Sequence, residues 1–113
     1  MTIISKPIKR SVILEQCNTF FQTMVKAVVD IEKGVMAIDG ELHADLEALL
    51  LEEGSKQENI WGINLYLIKE PSEWIEYTAL INIRPSSGNR GMEIQDPSIR
   101  NRIENIVKSL ILE

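Results

Sequence analysis

The chain has 113 residues, and what it has little of narrows its class first. A single cysteine, Cys17, excludes an internal disulfide and a zinc site built from thiolates. A single histidine, His43, excludes the HExxH type of metal centre. Aromatic residues make up only 5%, and the formal net charge is −5. Both argue against nucleic-acid binding, which needs a basic footprint and rings for stacking. No unbroken apolar run exceeds four residues, which excludes a transmembrane helix. The opening MTIISKPIKRS is basic but has no apolar stretch, so no secretory leader is expected and the expected location is the cytoplasm. Motifs of the GxSxG, P-loop, GxGxxG and CxxC kinds do not occur. Internal repeats and low-complexity stretches are absent too.

What is present is an ordinary globular composition with an uneven charge. Hydrophobic residues are 44% and charged residues 26%. Residues 30–60 hold nine acids against two bases, whereas residues 1–29 hold four bases against one acid. The arginines gather late, at Arg84, Arg90, Arg100 and Arg102. This distribution fits either a solvated acidic face or a molecule that presents cations to an anionic partner.

Local patterns predict an α+β fold, a small antiparallel sheet of about four strands with helices packed on one face, in the order α-β-β-α-β-β-α. Residues 1–8 are expected to be a flexible arm closed by Pro7, with one α+β domain over residues 9–113. A helix is predicted from Ser11, as N-cap, to about Phe21, with Ile13, Leu14, Cys17, Phe20, Phe21 and Met24 on its apolar side. Cys17 then reads as a small, inert core residue, because it lacks the cationic setting that activates a thiol. Period-two alternation predicts a strand over residues 25–32, followed by a turn at Lys33-Gly34 and a second strand from Val35 to Ile38.

Residues 41–53 carry leucines at helical spacing, with Asp39 as a candidate cap and Gly54 as a stop. They also alternate like a strand; helix is the reading adopted. Alternation predicts strands over residues 60–69 and 74–84, the second being the longest. Asp96-Pro97 then starts an amphipathic helix to about Leu112, with Asp as cap and Pro at the first helical position.

Two clusters carry chemistry. Glu41, His43 and Asp45 offer acid–base groups or metal ligands, although a histidine beside acids is also an ordinary surface arrangement. The stretch NIRPSSGNRGMEIQDP, residues 82–97, holds Asn82, Arg84, Ser86, Asn89 and Arg90 among glycines. Arginine forks and inward N–H groups suit a phosphate or carboxylate. The same arginines would serve as internal clamps by pairing with Glu41, Asp45 or Glu93. If the two later strands pair, Asn64, Tyr66, Thr78, Asn82 and Arg84 share one face and make a candidate pocket floor.

The strings GELHAD, GSKQ, WGIN and NIRPSSGNR, from Gly40 to Arg90, resemble a family of small prokaryotic proteins classed as a domain of unknown function. The resemblance runs from about Met24 to the C-terminus. It implies a bacterial or archaeal cytoplasmic origin and no particular activity. At Gly91 it implies a small serine-like residue, so the glycine is a departure.

The expected function is a non-enzymatic binding or self-association module, a homo-oligomer with Trp61 or Trp74 as the contact anchor. The alternative is a small hydrolase or anionic-ligand-binding protein. It would use Asn64, Asn82, Arg84 and Arg90 for the anion and Glu41, His43 or Asp45 for acid–base work. No cofactor, nucleic acid or membrane partner is expected; an anionic small molecule is the expected ligand class.

Overall fold

Hydrophobic alternation and two tight turns build the centre of the molecule. The computed structural model describes residues 1–17, 21 and 23–113. Strands β1 (Thr2–Ile4), β3 (Val25–Asp30), β4 (Val35–Ile38), β5 (Ile60–Leu65) and β6 (Ile75–Glu76) form an antiparallel sheet in the order β1-β4-β3-β5-β6. A second, two-stranded parallel sheet joins β2 (Ile8–Lys9) to β7 (Ile111–Leu112). The helices are α1 (Arg10–Gln16), α2 (His43–Glu52) and α3 (Pro97–Leu110). The fold is α+β, as the patterns predict.

The β3–β4 hairpin turns at Gly34, whose φ of 70° is open to glycine at little cost. Asp30 holds that turn by accepting bonds from the N–H groups of Glu32 and Lys33, each at 2.9 Å. Helix α3 starts as expected: Asp96 accepts from the Ser98 N–H at 2.8 Å, with Pro97 following. Helix α2 ends at Gly54, φ 95°, where the Ser55 N–H reaches Leu50 O at 2.9 Å and Gly54 N–H reaches Leu51 O at 3.1 Å. Those two bonds satisfy carbonyls that the end of the helix would leave open.

Helices cover both faces of the sheet rather than one. Val25, Ala27 and Val29 of β3 pack with Ile13 of α1 and Ile103 and Val107 of α3. Val28 of the same strand packs on the other side with Ala37 and with Leu46 and Leu50 of α2. Burying each of those leucines stabilises the fold by roughly 1.5–3 kcal/mol. Lys26 and Asp30 make this second face look polar in the sequence. Asp30 is instead turned into the β3–β4 turn, and α2 covers only part of the face.

Several expectations are revised. Residues 1–8, expected to be an arm, contribute β1 to the edge of the sheet, with Thr2 opposite Ile38 and Ile4 buried. This adds a fifth strand to the four expected. The cap of α1 is Lys9 and not Ser11, which lies exposed inside the helix. Helix α1 closes at Gln16, with non-helical backbone at Cys17; Thr19 and Phe20 of the predicted run lie outside the described residues. Cys17 is half-buried against the core, and burial pushes its thiol above the usual value. Asp39 sits at φ 65° in the approach to α2 and leaves the cap position to Leu42. Trp61 and Trp74 are both core residues, so neither is placed to anchor a contact between copies.

The longest predicted strand, residues 74–84, is the largest revision. Only Ile75 and Glu76 form β6, opposite Leu65 and Asn64. Beyond them the backbone finds other partners: Ile94 N–H bonds Tyr77 O at 2.9 Å and Ala79 N–H bonds Met92 O at 3.1 Å. Leu80–Asn82 and Pro85–Ser87 are single 3-10 turns. Burial does not follow the alternation in sequence: Tyr77 and Thr78 are both half-buried, Asn82 is buried and Ile83 is exposed.

The departure of β6 leaves the outer edge of β5 to side chains. The buried Asn82 amide accepts from Gly62 N–H at 2.8 Å and donates to Gly62 O at 2.9 Å, as a paired strand would. Gly62 has no room for a side chain: a Cβ there would lie 2.6 Å from the Ala79 Cβ. Asn82→Ala strands both backbone groups of Gly62, at about 1–3 kcal/mol each. Urea unfolding is expected to show the midpoint lowered by that loss divided by the m value, with m unchanged.

Candidate functional site

The arginine-rich loop is a clamp. Arg84 donates to Ile81 O at 3.1 Å, to Gln57 O at 3.0 Å and to Ile60 O, and its guanidinium lies 4.6 Å over the Trp61 ring. Glu47 of α2 stands 3.7 Å away. Burial lowers the Arg84 pKa, and Glu47 opposes that effect. All five guanidinium N–H groups cannot serve a ligand when three are already spent on backbone carbonyls. The expected clamp partners differ: Glu47 stands where Glu41 or Asp45 was anticipated, and Glu93 pairs with Arg100 at 2.9 Å.

Asn89 is equally committed. Its buried amide donates to Asn82 O at 2.8 Å and Gly91 O at 3.0 Å and accepts from Gln95 N–H at 3.0 Å. These bonds hold the loop together through main-chain groups, including the Gly91 carbonyl. Ser86 and Arg90 are exposed at its surface. The predicted anion site therefore separates into a structural core of Asn82, Arg84 and Asn89 and a solvent rim of Ser86 and Arg90.

The acidic cluster does not close on His43. Glu41 and Asp45 are exposed, and no group of three His, Cys, Asp or Glu side chains is arranged for a metal among the described residues. His43 instead opens α2 and lays its ring over Gly62, where a Cβ would meet the ring at 3.2 Å. Its Nε2 lies 2.8 Å from Ile63 O. A carbonyl accepts only, so Nε2 carries the proton and Nδ1 holds a lone pair. Burial pushes the His43 pKa below its usual 6.5; Ile63 O and the neighbouring Asn64 side chain oppose this and the Lys26 charge reinforces it.

Beside His43 the uncovered part of the α2 face forms a hollow of about 390 Å³. Lys26 of β3 and Asn64 of β5, opposite each other in register, line it with His43 and Thr78. Leu42, Leu80 and Met92 form an apolar rim and are 54%, 70% and 42% exposed. The orientation of the Asn64 amide is set on one side: Nδ2 donates to Glu76 Oε1 at 2.7 Å and to Thr78 O at 3.2 Å. Its Oδ1 is buried and has no partner among the described residues. An acceptor left this way costs about 1–3 kcal/mol.

Asn64 and His43 are thus the predicted candidates that come together. Arg84 faces a separate hollow, and Ile81 is a wall of both. Lys26 and the apolar rim are absent from the sequence-based candidates. The signal for Lys26 is a lone cation within a strand of otherwise mostly apolar residues.

A family model described as "Protein of unknown function (DUF5674)" matches residues 2–110. The chain belongs to this family. The match agrees with the resemblance read from the GELHAD, WGIN and NIRPSSGNR strings and extends it to the N-terminal strand. No curated protein matches the chain. No solved structure matches it either. The geometry of the hollow therefore carries the functional argument. No helix among the described residues is long and apolar enough to cross a membrane.

His43 links this site to stability. Its folded pKa lies below 6.5, so the unfolded chain takes up the proton first as the pH falls. The stabilising contribution is complete above pH 6.5 and is lost below it, until folded His43 protonates as well. Urea unfolding between pH 7 and about 5.5, above the usual carboxylate range, is expected to show stability declining with pH. As His43 is the only histidine, His43→Gln should flatten that slope.

Proposed function

We propose that this protein is a non-enzymatic binding module whose ligand site is the hollow between the start of α2 and β5. The observation that carries the reading is the buried, unpartnered Asn64 Oδ1 beside a hollow of about 390 Å³. Apolar walls with a few fixed polar groups are the usual make-up of a small-molecule site. Hydrolysis has less support. His43 spends Nε2 on Ile63 O, and neither Glu41 nor Asp45 lines the hollow to orient it. Among the described residues, serine and cysteine, the commonest nucleophiles, are missing from the lining as well.

Self-association is the second reading, supported by the exposed Leu42, Leu80 and Met92. A patch of this kind suits contact between copies. Sedimentation should then show a dimer that Leu80→Glu converts to monomer. A wild-type monomer at high concentration would remove this reading and leave the ligand site untouched.

A fragment library observed by amide NMR tests the first reading. Binding fragments are expected to shift the Asn64 side-chain amide and the Ala44 backbone amide. A fragment at a hundredfold excess over Kd should add about 2.7 kcal/mol of stability. Ala44 is exposed at the mouth, so Ala44→Trp should block binding with little change in Tm. Fragments that bind this variant equally well, or that leave Asn64 unshifted, would refute the site.

A further inference from the structure

We infer that the hollow takes a small carboxylate bearing an apolar tail and a hydrogen-bond donor on the carbon next to the carboxylate. The inference rests on the ligand-site reading above and adds the chemistry of the ligand to it.

The first support is charge. Lys26 is half-buried and has no carboxylate within ion-pair distance among the described residues. Residues 18–20 and 22, outside the description, contain no acid. The lining of the hollow contains no acid either. The Lys26 ammonium lies 5.0 Å over the Phe21 ring, a contact that leaves its charge without an anionic counterpart.

Helix α2 adds to the same potential. Its cap, Leu42, has no side chain that can accept a hydrogen bond, and His43 and Ala44 of its first turn line the hollow. The first N–H groups of a helix have no partner within the helix and favour an anion. The neutral His43 leaves this end of the site without a competing charge of its own.

The second support is the donor. Asn64 presents only Oδ1 to a ligand, because Glu76 and Thr78 hold Nδ2. An acceptor needs an O–H or N–H from the ligand. Lys26 and Asn64 are direct cross-strand neighbours, so their Cβ atoms lie about 4.5–5.5 Å apart. A small ligand seated over this pair meets both side chains, and a carboxylate with a donor on the adjacent carbon offers one group to each. Leu80, Ile81 and Met92 then face the remaining, apolar part. The volume is near the lower end for ligand sites, which suits a metabolite of amino-acid size better than a nucleotide cofactor.

Titration calorimetry with four probes tests this. They are 2-hydroxy-4-methylpentanoate, L-leucine, 4-methylpentanoate without the donor and 2-hydroxy-4-methylpentanamide without the charge. The hydroxy acid or leucine is expected to bind about tenfold more tightly than either control, the value of one hydrogen bond or ion contact. The better of the two identifies a hydroxyl or an ammonium as the donor. Lys26→Met should weaken that probe about tenfold with an unchanged urea midpoint. Lys26→Gln serves if the Met variant is unstable, and Arg90→Met should change nothing. Equal binding of acid and amide, or indifference to the Lys26 change, would overturn the ligand class. Binding of none of the four at about 10 mM, well above the millimolar range of weak ligands, would overturn it too. The fragment experiment then decides separately whether the hollow binds other chemistry.

Discussion

The pairing of the Asn82 side chain with the backbone of Gly62 is the constraint on which the rest of this fold depends. A sheet edge inside a protein must satisfy every N–H and C=O it buries. Along β5 three devices do this in turn. Residues 74–76 pair as backbone, Asn82 replaces a strand at Gly62, and Arg84 takes the carbonyl of Ile60. The substitution of side chains for a strand releases residues 77–94 to pair among themselves. It also fixes Gly62, because the same crossing brings Ala79 to the space where a Cβ would stand.

That crossing shapes the hollow. Residues 78–81 pass over the end of β5 and make one wall, and the start of α2 makes the other. Since α2 buries Leu46 and Leu50 further along the face, the region over Lys26 and Asn64 is left without helix cover. Two opposite strand residues with polar side chains then sit at the bottom of a space with an apolar rim. The absence of a side chain at Gly62 lets the His43 ring approach β5 beside them, with its proton directed to Ile63 O. The hollow is thus a consequence of how the β5 edge is closed.

The local signals in the sequence are mostly accurate where the cause is local. The Asp96-Pro97 start, the Gly34 turn and the Gly54 stop all depend on one or two residues and their own backbone angles. The alternation over residues 74–84 misleads because the chain leaves the sheet after Glu76: its backbone bonds go to residues 92–94, and the 3-10 turn at Leu80–Asn82 buries Asn82 and exposes Ile83. The arginine loop is ambiguous for a similar reason. Arg84 as clamp and Arg84 as ligand contact differ only in whether carbonyls of Gln57 and Ile60 stand beside it. Those carbonyls are more than twenty residues away, and carbonyls leave no mark in a sequence. Of the site, His43 is legible as the single histidine beside acids and Asn64 as a polar residue in a strand, whereas Leu42, Leu80 and Met92 look like core.

The sequence by itself determined the α+β class, the central hairpin, the C-terminal helix and membership of a recognisable family. Each follows from short-range periodicity, turn chemistry or quoted strings of residues. Only the tertiary structure decided that the N-terminal segment is a strand, that α2 covers the second face, and that Arg84 and Asn82 are structural. It alone placed Lys26, His43 and Asn64 around one space. The physical reason is that hydrogen bonding is a complete account over all buried groups. Which donor meets which acceptor is settled by three-dimensional neighbours and not by neighbours in the chain.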